Sequence, residues 1–175
     1  MKLKTKQKIA DSLRPFRLPR YREIPDVGLY LEQTAKYISE YLAPLEEGGL
    51  TPSMVSNYVK KHLISNPVKK QYNREQIAYL IFIAIAKNVL SLDGLINFIA
   101  LQKRTYPLQI AYDYFCEQLE NTLFFTAEIN DTMDIVGEDT ADEKKLLFSC
   151  IVAVTQKIYL ERCLEAISQE ESAPQ

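Results

Sequence analysis

Ten consecutive residues, Ile77 to Ala86 (IAYLIFIAIA), carry no charged side chain. The run falls well short of the ~20 residues that a membrane span requires. A helix with no wet face must be covered on several sides, so this stretch is expected to be the centre of a helical globule. Asn73 stands at a cap position before it, and Glu75 and Gln76 in the first turn suit the positive end of a helix dipole. A helix opening at Asn73 follows.

Other helices are predicted around that centre. From Leu29 to Ala43, Leu31, Ala35, Ile38 and Leu42 recur at helical spacing, and Pro44 stops the segment. Glu46, Glu47, Gly48 and Gly49 read as an acidic turn. Ser91 and Asp93 start a short helix with Leu92, Leu95, Ile96 and Ile99 as its stripe. Pro107 opens a long one through Leu108, Tyr112, Phe115, Leu119 and Leu123. A final helix is expected from about Thr140 to Ile167, its middle LLFSCIVAVTQKIYL too apolar to stand alone. The acids between Asn130 and Glu143 lack the D-x-D-x-D-G order of a calcium loop and read as a solvated loop.

The fold class is therefore mainly α, and four regions are expected: 1–28, a basic arm or strap; 29–104, a helical domain; 105–168, a C-terminal helical pair; and 169–175, a polar tail. Within the first region, prolines 15, 19 and 25 favour an extended path. Phe16, Leu18, Tyr21 and Ile24 are expected to pack beneath solvated arginines, and residues 1–8 to form a disordered tail.

Charge divides the chain. Residues 1–104 hold 17 Lys and Arg against 9 Asp and Glu, and the remainder holds 4 against 14. A split on this scale suggests that the first part binds a polyanion. No basic amphipathic helix with exposed Phe or Leu points to a membrane surface, which leaves nucleic acid.

The stretch Thr51 to Ile64 (TPSMVSNYVKKHLI) carries the candidate interface. Thr51 can cap a helix and Pro52 suits its first position. At 100° per residue, Met54, Val55, Tyr58, Val59, His62 and Leu63 fall on one half, and Ser53, Ser56, Asn57, Lys60 and Lys61 on the other. The wet half has two lysines, an asparagine, two hydroxyls and no acid, a chemistry suited to phosphates and base edges. An ordinary amphipathic helix facing water is the bland alternative. After Ile64, Ser65-Asn66-Pro67 reads as a turn, and Val68 to Tyr72 as a short basic hairpin or wing bearing Lys69 and Lys70.

The order of MVSNYVKKHLISNPVKKQYNREQIAYLIFIAIAKNVLSLDGLINFI, residues 54 to 99, is similar to the winged helix-turn-helix of MerR-type transcription regulators. Tyr58 stands at that family's second tyrosine, His62 replaces its glycine, and Pro67, Tyr72 and Ser91-Leu92 hold its later positions. The resemblance implies a winged helix-turn-helix over 29–104 and adds Tyr58 to the DNA-binding set. RPFRLPRYREIPD, with LTPSMVSNYVKK and YNREQIAYLIFI, also resembles an uncharacterised bacterial family known only as a domain of unknown function. That likeness spans most of the chain and implies no activity.

The function expected is that of a sequence-specific, DNA-binding transcription regulator in the cytoplasm. Double-stranded DNA would be its partner, and two copies would pair through the C-terminal helices. The alternative is a protein-interaction module built on the same core. One histidine, five glycines without a phosphate loop, and Cys116, Cys150 and Cys163 without metal-ligand spacing name no catalytic set, metal or cofactor. Tyr112, Phe115, Phe124 and Tyr159 are candidates either for a small-molecule pocket or for plain core.

Overall fold

A computed structural model describes residues 3–45, 49–133 and 141–172, with side chains to residue 170. Among the described residues the protein is mainly helical. Its helices are α1 (Leu3–Leu13), α2 (Leu31–Leu42), α3 (Pro52–Lys60), α4 (Arg74–Ala86), α5 (Leu92–Thr105), α6 (Leu108–Thr126) and α7 (Asp142–Ser172). Two short strands, β1 (Leu29–Tyr30) and β2 (Gln71–Tyr72), pair antiparallel with Leu29 opposite Tyr72. The acidic turn at 46–48 and most of the acidic loop, 134–140, lie outside the described residues.

The centre is where the apolar run places it. Every side chain of α4 from Gln76 to Ala86 is buried. Asn73 Oδ1 accepts from Gln76 N, and Gln76 Oε1 accepts from Asn73 N, each at 2.9 Å, so the cap is reciprocal. Thr51 and Ser91 cap α3 and α5 through their hydroxyls. Around α4, α2 packs on α3, while α7 lies along α6 and also meets α1, α4 and α5. One cluster of buried side chains runs from Ile9 to Ile158. None of the described helices is long and apolar enough to cross a membrane.

Several expectations need correction. The N-terminal segment is helix α1, not a disordered tail: Thr5, Ile9, Ala10 and Leu13 lie on one face and are buried, and Thr5 donates a hydrogen bond to Glu170 of α7. Lys4 and Lys8 are exposed and Lys6 pairs with Glu128 at 2.7 Å, and these interspersed lysines mask the stripe. The helix after Ser91 is not short but runs fourteen residues to Thr105. The last helix continues to Ser172, through the start of the expected tail.

The strap is present, and Phe16, Leu18 and Ile24 are buried beneath it. Its arginines are not all merely solvated. Arg20 donates from Nη1 and Nη2 to the two carboxylate oxygens of Glu120, each at 2.7 Å. The backbone N–H of Leu18 also donates to Glu120, at 2.8 Å. Tyr21 N donates to Asp113 Oδ1 at 2.6 Å. Carboxylates of α6 therefore hold the extended segment in place.

Candidate nucleic-acid interface

Helix α3 begins as its sequence demands, with Thr51 Oγ1 accepting from Met54 N at 3.2 Å and Pro52 at the first position. It ends in a tight reversal. His62 N donates to Val59 O and Leu63 N donates to Tyr58 O, both at 3.0 Å. This is the pattern that normally places glycine in the left-handed region. His62 occupies that position with φ 58°. The reversal turns the His62 side chain outward, so it is exposed rather than part of the apolar half. Leu63 and Ile64 turn inward and are buried.

The segment after α3 is anchored from α4. Gln76 Nε2 donates to Ser65 O at 2.8 Å and to Ser65 Oγ at 3.2 Å. A two-residue hairpin follows, in which Val68 and Gln71 exchange backbone hydrogen bonds of 3.1 and 2.9 Å. Lys69 and Lys70 form its tip at φ 50° and 65°. Positive φ at both central residues marks a type I′ turn, which ordinarily uses Asn-Gly. Here the turn lifts two ammonium groups clear of the surface.

The sequence-derived set separates on this frame. Ser53, Asn57, Lys60, Lys61, Lys69 and Lys70 are exposed, and Ser56 is half-buried. None of these side chains makes an ion pair or hydrogen bond with a described residue. Tyr58 does not join them. It is 7 % exposed, and burial pushes its hydroxyl pKa up, so its ring belongs to the core beside Leu63. Helical spacing had already put it on the apolar half; only the family resemblance placed it at the interface.

Several cations elsewhere in the basic half are engaged, while Lys4, Lys8 and Arg22 are exposed like the α3 and hairpin lysines. Arg17 pairs with Glu23 at 2.8 Å, and Arg20 is held by Glu120. Arg74 donates from Nε to Ile24 O at 2.9 Å, lies 3.6 Å from Asp26, and sits over the Tyr21 ring. Lys87 donates to Gly49 O at 3.0 Å. Of these, Gln76 was legible as a capping residue but not as the anchor of Ser65. The Arg20–Glu120 fork spans a hundred positions with no local signal.

Of the aromatic pocket candidates, Tyr112 and Phe115 line an apolar cavity of about 40 Å³ between α4, α5 and α6, whose lining reaches Leu147 of α7. It adjoins a second of about 90 Å³, and Phe124 and Tyr159 line neither. Both are far below the ~300 Å³ of an ordinary ligand site. The thiols of Cys116 and Cys150 are buried and Cys163 is half-buried. Among the described residues, no group of three or more His, Cys, Asp or Glu side chains is placed to hold a metal ion.

Residues 19–115, more than half of the chain, match a family described as a domain of unknown function, DUF1836. The match runs from the strap through α3, the hairpin, α4 and α5 into α6. No curated protein and no solved structure matches the chain. The protein carrying this hairpin and its unpaired lysines is a member of the DUF1836 family.

Proposed function

We propose that this protein is a sequence-specific DNA-binding transcription regulator of the cytoplasm, reading duplex DNA through a MerR-like winged helix-turn-helix. In this reading α2 and α3 form the helix pair, with α3 in the major groove. Ser53, Ser56 and Asn57 approach base edges, Lys60 and Lys61 meet flanking phosphates, and the Lys69–Lys70 hairpin acts as the wing on the backbone. Two copies pair through the C-terminal helices.

One observation carries the proposal: Lys60, Lys61, Lys69 and Lys70 are exposed and unpaired among the described residues, whereas Arg17, Arg20 and Arg74 are consumed by contacts within the chain. A second supports it. Two backbone positions that ordinarily favour Asn-Gly are given to lysines at the hairpin tip. Such strain concentrates where a side chain has work outside the fold.

The test is fluorescence anisotropy on mixed-sequence duplex DNA across a salt series. Neutralising about six phosphates gives a slope of log K against log salt near −5. The K60A/K61A variant is expected to bring the slope to about −3, each lysine lost removing about one. Its thermal melt should stay unchanged because both side chains are exposed. Weak, salt-insensitive binding would reject the reading. Retention of a stoichiometric protein partner, with no nucleic acid, would replace it with an interaction module.

A further inference from the structure

Helix α7 has two apolar faces and uses one. Ile151, Val154 and Ile158 are buried inward. On the opposite side Leu146, Ser149, Ala153, Leu160, Leu164 and Ile167 are all exposed. At 100° per residue these six fall within a stripe about 60° wide. Leu146, Leu160, Leu164 and Ile167 retain 52, 57, 58 and 37 % of their accessible surface. An apolar stripe of that length on a 31-residue helix calls for a neighbour that the described residues do not supply.

The spacing identifies the neighbour. The intervals along the stripe are 3, 4, 7, 4 and 3 residues, the same read from either end, with the midpoint between Gln156 and Lys157. A two-fold axis at that midpoint sets Leu146 against Ile167, Ser149 against Leu164 and Ala153 against Leu160. Two large side chains therefore meet small ones, as dense packing requires. A parallel pairing instead sets Leu160 on Leu160 and Ala153 on Ala153, alternating crowding with gaps. The polar residues at the midpoint are already satisfied: Gln156 Nε2 donates to Thr126 Oγ1 at 3.4 Å, and Lys157 donates to Glu161 at 2.6 Å. No lone charge is carried to the axis.

We infer that α7 pairs antiparallel with α7 of a second copy, about a two-fold axis between Gln156 and Lys157. This deepens the pairing of copies proposed above and does not depend on DNA binding. The stripe is about 32 Å long at 1.5 Å per residue. The area it buries is on the order of 400 Å² per copy, below the ~800 Å² of a standard interface. An interface this small belongs to the weak, reversible class.

Sedimentation velocity from low to high micromolar concentration reads this directly. The wild-type chain shifts from monomer to dimer, and L160E/L164E stays monomeric with an unchanged thermal melt. In a C163S background, an equimolar mixture of A153C and L160C cross-links between copies under mild oxidation, while neither alone does. A wild-type monomer throughout, or self-linking of A153C alone, overturns the proposal. The cross-linking stands independently if L160E/L164E fails to fold. A dimer without DNA binding rejects the regulator and leaves this pairing intact; DNA binding by a monomer does the reverse.

Discussion

Two segments of the basic half contrast in how they use their cations. Between Pro15 and Pro25 the cations are arginines: Arg20 is forked onto Glu120 through Nη1 and Nη2, Arg17 reaches both oxygens of Glu23 through Nη2, and Arg22 is exposed. Between α3 and β2 the charges are lysines, and Lys60, Lys61, Lys69 and Lys70 have no described partner. The planar guanidinium grips a carboxylate through two parallel hydrogen bonds, while the ammonium is a hydrated point charge on a flexible stem. The same formal charge thus serves as a rivet in one place and as a free surface in the other. Net charge alone does not distinguish them; pairing does.

The largest effect that tests this contrast lies on the riveted side. Glu120→Ala removes the acceptor of three hydrogen bonds and leaves Arg20 and the Leu18 N–H without it. Breaking such a partly buried pair is expected to cost about 3 kcal/mol, measured by chemical denaturation. A loss as small as that of an exposed pair would show the strap to be merely laid on α6.

The buried thiols of α6 and α7 predict alkaline sensitivity. Burial pushes the Cys150 thiol up to about 11 and the Cys116 thiol up to about 12 from an ordinary 9.0. The folded chain holds these protons more tightly than the unfolded chain. That stabilisation is fully present below about pH 9 and is lost as pH rises through 11 to 12. Thermal melts from pH 8 to 11 should fall, and less steeply in C116A/C150A. A flat profile in the wild type would contradict the burial of these thiols.

The lysine side predicts effects of opposite sign on stability and binding. Replacing the hairpin tip by Asn-Gly (K69N/K70G) relieves two left-handed lysines and should stabilise the fold by about 1 kcal/mol. It should also flatten the salt slope of DNA binding by about two. A gain in stability with unchanged binding would remove the wing from the interface. The smallest effect is at His62. His62→Gly should add about 0.5 kcal/mol by easing the reversal after α3 while leaving the salt slope alone, because the imidazole holds no assigned phosphate.

Much of the frame was legible before any coordinates. The buried run of α4, the caps at Thr51, Asn73 and Ser91, and the apolar underside of the strap at Phe16, Leu18 and Ile24 all follow from local pattern. So does the polar half of α3, with Ser53, Asn57, Lys60 and Lys61 outward and Tyr58 inward by helical spacing. Helix α1 was not legible, because alternating lysines hide Thr5, Ile9 and Leu13 until α7 covers them. Helical spacing put His62 on the apolar half and missed its outward turn, although the resemblance set it where that family has glycine.

What the chain determined by itself is whatever depends on neighbours within a turn or two: where helices begin, which face is apolar, and which lysines share a side. Those are short-range sterics and hydrogen bonds, and they act wherever the segment finds itself. Only the tertiary structure decided that Glu120 would hold Arg20, that Gln76 would reach Ser65, and that one stripe of α7 would remain uncovered by the described residues. These outcomes depend on groups brought together from far along the chain, where burial and pairing set their free energies and local pattern carries no record of them.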